Sequence, residues 1–261
     1  MVERITILTG TGKSGHHEPV DRIELRMGDV VSIVGPTGSG KTTFINDIEL
    51  FAHGNTPTGR VVLMDGQPPP EEYRDDPSRN PIALITQHTT FLSDLPVQEF
   101  LETHVRIRQE NHTDLADRLK ATLDFANQLT GEPIVMSSRM TELSGGQTRA
   151  LLIADATIIC DTPIVLLDEV ENAGIHRTRA LELLRRQRKI FIFVTHDPRI
   201  ALLSDFRIVM RHGMVMDILH TDQRERELAV DVSKLDDALS RLRDQIRLGE
   251  RLTGQLREVF A

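Results

Sequence analysis

The run Gly35, Pro36, Thr37, Gly38, Ser39, Gly40, Lys41, Thr42 fits GxxxxGK[ST] and directly follows the apolar run Val30 to Val34. This order predicts a strand, a tight loop and a helix over Thr42 to about Leu50, the building unit of a layered α/β fold. Glycines let the backbone turn tightly enough for successive amides to face phosphate oxygens, and the helix presents its positive end to the same charge. Gly35, Thr37, Gly38, Ser39, Gly40, Lys41, Thr42 and Thr43 are therefore the candidate phosphate-binding residues. Within them Lys41 suits the β- and γ-phosphates, and the Thr42 hydroxyl suits Mg²⁺. The competing reading, a Gly-rich turn that only caps a helix, does not require the lysine, the threonine and the preceding strand together.

A second apolar run, Ile164 to Leu167, ends in Asp168 and Glu169. An uninterrupted apolar run reads as a strand buried on both faces, so its acidic end emerges where α/β sheets place ligands. Asp168 then suits a direct or water-mediated Mg²⁺ contact, and Glu169 suits a general base acting on water. Taken alone, the pair reads equally well as charge at a helix N-terminus. Between the two segments lies Leu143, Ser144, Gly145, Gly146, Gln147, at the start of a helix expected to run from Gly145 to about Thr157.

With these motifs in this order the chain resembles the nucleotide-binding subunit of ATP-binding cassette (ABC) proteins, from about Ile5 to about Ile218. Two further residues carry the resemblance: Gln87 after the strand Ile82 to Thr86, and His196 after Ile190 to Thr195. The resemblance implies an ATPase that forms a head-to-tail homodimer with two ATP molecules sandwiched between the copies. Glu169, His196 and Gln87 would be catalytic; Thr42, Gln87 and Asp168 would hold Mg²⁺. Ser144, Gly145, Gly146 and Gln147 of one copy would meet the γ-phosphate held by the other. The implied fold is a P-loop NTPase of ABC type: a mostly parallel central sheet, an antiparallel side sheet and a helical subdomain.

Two departures stand out. The family commonly stacks an aromatic ring on adenine upstream of the phosphate loop, whereas Gly10 to His17 holds no ring but imidazole. His16 or His17 is the expected base contact, and the competing reading is a mobile Gly-rich hairpin. After the acidic pair, where a Ser-Ala-Leu-Asp run is usual, the chain reads Val170, Glu171, Asn172, Ala173, Gly174, Ile175. Asn172 and Ala173 are left to make the contacts between sites.

The organisation follows from periodicity and punctuation. Strands near Ile5 to Leu8, Arg22 to Leu25 and Val61 to Met64 should form the side sheet. The main sheet should hold Val30 to Val34, Ile82 to Thr86, Ile164 to Asp168, Ile190 to Thr195 and Arg207 to Met210, with a hairpin through His212 and Gly213. Helices over Val97 to Gln109 and Thr113 to Thr130 make the inserted lobe, about residues 88–142. Phe91, Leu92, Leu95 and Phe100 are its candidate docking residues. The cassette is expected over residues 1–221 and an amphipathic C-terminal helix over 222–261. In that tail Leu228, Val232, Leu235, Leu239, Leu242, Ile246, Leu256 and Phe260 repeat at threes and fours, interrupted at Gly249 and Thr253. This pattern favours helix pairing between copies over packing on its own domain.

Composition bounds the setting. The net charge of -8 argues against a general nucleic-acid binder, and the single cysteine, Cys160, forbids an internal disulfide. Neither a secretory signal nor a membrane span is legible, so the expected location is the cytoplasm, reaching a membrane only through a partner. A transport permease is the expected partner; a soluble protein or metalloenzyme complex to be remodelled is the alternative. A chromosome or repair role is disfavoured by the short interval from Gln87 to Leu143, and a sensor without turnover by Glu169 and His196.

Overall fold

In the computed structural model, which describes residues 2–89, 94–108, 114–169 and 177–251, one sheet separates two apolar layers. Successive side chains of a strand point to opposite faces, so a run such as Ile164 to Leu167 must be covered on both sides. Val165, Leu167, Phe191 and Phe193 enter one buried cluster, and Ile164, Leu166, Ile190 and Ile192 enter the other.

The chain begins with β1 (Arg4–Leu8), β2 (Arg22–Arg26), β3 (Val30–Val34), α1 (Lys41–Glu49), β4 (Val61–Met64), α2 (Glu72–Asp75) and β5 (Ile82–Thr86). The lobe helices follow: α3 (Val97–Arg108), α4 (Leu115–Leu129) and α5 (Gly145–Ala154). The second half holds β6 (Ile164–Asp168), α6 (Arg177–Arg185), β7 (Ile190–Val194), α7 (Pro198–Leu203), β8 (Phe206–Arg211), β9 (Met214–His220) and α8 (Gln223–Arg247). A three-stranded antiparallel sheet has the order β2-β1-β4, and the central sheet has the order β5-β6-β7-β3-β8-β9. All its pairings are parallel except the β8–β9 hairpin. The strands of both sheets and the β8–β9 hairpin thus lie where the sequence predicts them, and α3 and α4 fall within the two predicted helices, whose expected ends at Gln109 and Thr113 lie outside the described residues. Helix α1 packs Phe44, Ile45 and Ile48 into the layer beneath the side sheet. Helix α3 buries Val97, Leu101 and Val105, spaced one turn apart, against the lobe core.

Three expectations need correction or fall elsewhere. Helix α5 does not continue regularly to Thr157: it ends at Ala154 and widens into a π-helical turn, Asp155–Ile159. The terminal helix does not run unbroken along its apolar repeat. It stops at Arg247, and Gly249 adopts a left-handed φ of 71°, a conformation that favours glycine after a helix. The amides of Gly249 and Glu250 return to the carbonyls of Ile246 and Gln245, which closes the end. Phe91, Leu92, Leu256, Phe260 and residues 170–176 lie outside the described residues.

Helix α8 packs on α7 through its polar and small side. Ala229 is buried, Arg199 reaches Asp236 at 2.7 Å, and Arg207 pairs with Glu225 at 3.0 Å. Of the repeat, Leu228, Leu235, Leu239 and Ile246 face outward, all at least 40% exposed.

Candidate functional site

Strand register builds the site. Asp168 pairs with Thr86 on one side and Val194 on the other, and Val194 pairs with Ile33. The next residues therefore leave the sheet at one edge: Gln87, Glu169, Thr195 followed by His196, and the phosphate loop after Val34. Parallel strands bring these four loops together however far apart they lie in sequence.

The loop itself needs glycine for close approach. A Cβ on Gly35 would lie 2.3 Å from the Met210 carbonyl oxygen and 2.8 Å from the Ser39 hydroxyl. A Cβ on Gly40, whose φ is 99°, would lie 2.9 Å from the Gly213 Cα. The resulting cleft is lined by Thr37, Gly38, Ser39, Gly40, Lys41, Thr42 and Thr43, with Glu169 and His196 opposite. Lys41 Nζ donates to the carbonyls of Gly35 (2.9 Å) and Pro36 (3.3 Å), so it rests folded across the loop it would serve. The concave backbone, the lysine and the start of α1 suit a polyphosphate. Thr42, Asp168 and Gln87 offer hydroxyl, carboxylate and amide oxygens, a hard donor set that fits Mg²⁺.

Glu169 carries a positive φ of 52°, unusual for a residue with a Cβ, and its amide donates to the Val194 carbonyl at 3.0 Å. This backbone turn lifts the carboxylate out of the sheet edge toward the cleft. His196 Nε2 lies 3.6 Å from Glu169 Oε1, a separation that one rotamer adjustment or a water can bridge.

The hairpin before β2 is an ordered part of this site. Gly12 donates to the His16 carbonyl at 2.9 Å, and Thr11 bridges His17. His16 and His17 are exposed, and the hairpin residue that lines the cleft is Lys13, whose Nζ donates to the Gly38 carbonyl at 2.9 Å. Sequence reasoning looked for a ring here and passed over the lysine. Beneath the hairpin sits Arg60, fully buried, bonded to Glu18, Asp47 and the Gly213 carbonyl and stacked 4.9 Å from the Phe44 ring. Burial opposes its charge, but the two carboxylates more than offset that and hold its pKa above the ordinary arginine value.

The LSGGQ segment stands apart from this cleft. Ser144 caps α5 by accepting from the Gln147 amide at 3.3 Å, while Gln147 Oε1 accepts from the Ser144 amide at 2.9 Å. Ser144 and Gly145 are exposed, and none of Leu143 to Gln147 lines the phosphate cleft of its own chain. Arg149, also missed from sequence, donates to the Gly145 carbonyl at 2.8 Å and the Gln87 carbonyl at 2.5 Å. It fastens the signature helix to the loop that follows β5.

Residues 21–172 match the family model described as ABC transporter. The chain belongs to the ABC transporter family. It is 45% identical over 252 residues to an uncharacterized ABC transporter ATP-binding protein of Methanocaldococcus jannaschii, covering 97% of this chain and 95% of that one. It is 31% identical over 204 residues to a β-(1→2)glucan export ATP-binding/permease protein of Agrobacterium vitis, covering 74% of this chain but only 33% of that longer protein. Among solved structures, a dimeric post-hydrolysis ATP-binding cassette bound to ADP and Pi aligns with a TM-score of 0.64 at 24% identity, covering 84% of this chain and 99% of that one. The chain is thus an ATP-binding ABC ATPase with the P-loop cassette fold. No described helix is long and apolar enough to cross a membrane.

Proposed function

We propose that two copies close head to tail around two ATP molecules with Mg²⁺, and that hydrolysis drives a separate transport permease. The observation that carries the reading is the exposed Ser144 and Gly145 of LSGGQ, which their own cleft leaves unused. A serine hydroxyl and the amides of a helix start are phosphate ligands without a phosphate in their own chain; a second copy supplies one. The dimeric arrangement of the related cassette and the fused permease of the glucan exporter support the same reading.

In the closed dimer Lys41 leaves the Gly35 and Pro36 carbonyls for the β- and γ-phosphate oxygens. Glu169 accepts the proton of the attacking water, and His196 fixes the direction of that water and of the carboxylate. Ser144 and the first amides of α5 from the partner copy stabilise charge on the γ-phosphate. Thr42 and Asp168, with Gln87, would hold Mg²⁺, which when bound would neutralise charge on the transferring oxygens. Because Arg149 ties Gln87 to Gly145, a shift of Gln87 toward nucleotide moves the signature helix of the same chain.

The outward leucines of α8 fit a second α8, which would tether the cassettes between cycles and make closure intramolecular. Light scattering on nucleotide-free protein, with and without residues after Thr221, tests the tether: a dimer that becomes a monomer supports it, and a monomer in both removes it. Affinity capture of the full chain from native membranes and from the soluble fraction tests the partner. A polytopic membrane protein is expected; soluble partners alone would replace transport with remodelling of a protein complex.

A further inference from the structure

We propose that His104, Asp155 and Cys160 form a binding site for a divalent ion of the zinc class, joining α3 to the end of α5. Their ligand atoms all lie within 4.8 Å of one another. Asp155 Oδ2 is 2.7 Å from His104 Nδ1 and 3.7 Å from Cys160 Sγ. No residue of the set lines the nucleotide cleft.

The backbone irregularity makes the cluster. In a regular α-helix, residues five apart point about 140° away from each other. Here the turn is widened, the Cys160 amide donates to the Asp155 carbonyl at 2.9 Å, and the thiol reaches the same carboxylate that meets His104. Such π-turns are rare and often mark functional sites.

Asp155 is 4% exposed, and its Oδ1 has no hydrogen-bond partner while Oδ2 serves two neighbours. A buried carboxylate with one oxygen left in this condition is costly, and a cation bound by that carboxylate would offset its charge. Burial, reinforced by Asp155, pushes the Cys160 thiol up to about 12, so without an ion the sulfur keeps its proton. An entering cation would displace that proton to solvent and bind the thiolate. Arg108 opposes the Asp155 effect on the thiol; as a nearby cation it favours thiolate but also repels the ion, and its bond to the Ser78 carbonyl holds it in place. The His104 side chain is 32% exposed, which gives the ion a way in, and the Phe100 ring 4.2 Å from the imidazole fixes its plane.

The donors select the metal. Imidazole nitrogen, carboxylate oxygen and thiolate sulfur suit Zn²⁺ or Co²⁺, whereas Mg²⁺ and Ca²⁺ prefer oxygen alone. Three protein ligands leave one tetrahedral position for water at the exposed side.

The test uses the full chain freed of metal with chelator and titrated with Co²⁺ alone. Cys160 is the only cysteine, so a thiolate-to-cobalt charge-transfer band has one source. One Co²⁺ per chain with that band, displaced by Zn²⁺, is expected. Cys160→Ser should abolish the band, and His104→Gln, at a part-exposed position, should weaken Co²⁺ binding at least tenfold while circular dichroism and basal ATPase rate stay unchanged. Absence of the band in folded protein at saturating Co²⁺ overturns the proposal. So does a band with undiminished affinity in His104→Gln, which would place the ion on Cys160 without the cluster.

Discussion

Arg60→Met removes the guanidinium that holds the nucleotide edge together, and its cost follows from what it leaves behind. Four side-chain hydrogen bonds go: two to Glu18, one to Asp47 and one to the Gly213 carbonyl. Glu18, 5% exposed, keeps the amides of Gly10 (2.8 Å) and Val215 (2.7 Å), and Asp47, 3% exposed, keeps the Thr58 hydroxyl (2.8 Å). Two buried carboxylates thus lose their shared countercharge, for which breaking one side of a buried pair costs roughly 3–5 kcal/mol. At about 2–4 °C per kcal/mol for a chain of this size, the midpoint should fall by roughly 6–20 °C. Because Glu18 bonds Gly10 and Arg60 bonds Gly213, the hairpin carrying Lys13 loosens as well, and ATP affinity should fall in the protein that remains folded. Calorimetry gives the midpoint, and nucleotide titration below the transition gives the affinity. A loss under about 1 kcal/mol, the scale of an exposed pair, would refute the argument that this buried network holds the edge.

Glu169→Gln should retain ATP binding and slow turnover at least about a hundredfold, the ordinary scale for a lost general base; unchanged steady-state hydrolysis would show the base misassigned. Lys13→Ala should weaken ATP binding more than His16→Ala or His17→Ala, since Lys13 lines the cleft and both histidines are exposed; equilibrium titration showing the reverse order returns the base contact to the imidazoles. The Arg207 guanidinium holds the Glu225 carboxyl below its ordinary value. This pair therefore stabilises α8 fully above the ordinary carboxylate range and loses its effect as pH falls through the depressed value. Proteolytic nicking between Thr221 and Glu225 should rise below about pH 4 in the wild type more than in Glu225→Gln, and equal rises would rule the pair out.

Much of the cassette was legible because parallel strands announce themselves twice, by an apolar run and by the polar residue that ends it. Ile164 to Glu169 and Ile190 to His196 are such cases, and the register then brings their ends together. Lys13 was not legible because nothing in Gly10 to His17 says which side chain turns inward; the packing of Lys13 against Gly213, under a hairpin anchored by Arg60, decides it. Arg149 escaped notice because its partners, the Gln87 and Gly145 carbonyls, are backbone atoms, one of them 62 residues away. The end of α5 could not be read from periodicity, since a π-turn shifts the apolar face without changing composition. In α8 the repeat identified the helix but not its docked side, which is set by buried Ala229 and by the ion pairs of Asp236 with Arg199 on α7 and of Glu225 with Arg207 on β8.

Mixing two inactive variants tests the composite site most directly. Lys41→Ala removes the phosphate lysine and Ser144→Arg blocks the signature turn, so neither homodimer should hydrolyse ATP. Co-expressed in equal amounts, about half the dimers are mixed and each rebuilds one complete site from the intact cleft of one copy and the intact LSGGQ of the other. Recovery to about a quarter of the wild-type rate is the predicted result if the sites act independently. A mixture no more active than its parents, with heterodimers demonstrated by tag capture and each still binding ATP at its intact cleft, would contradict a nucleotide shared between copies.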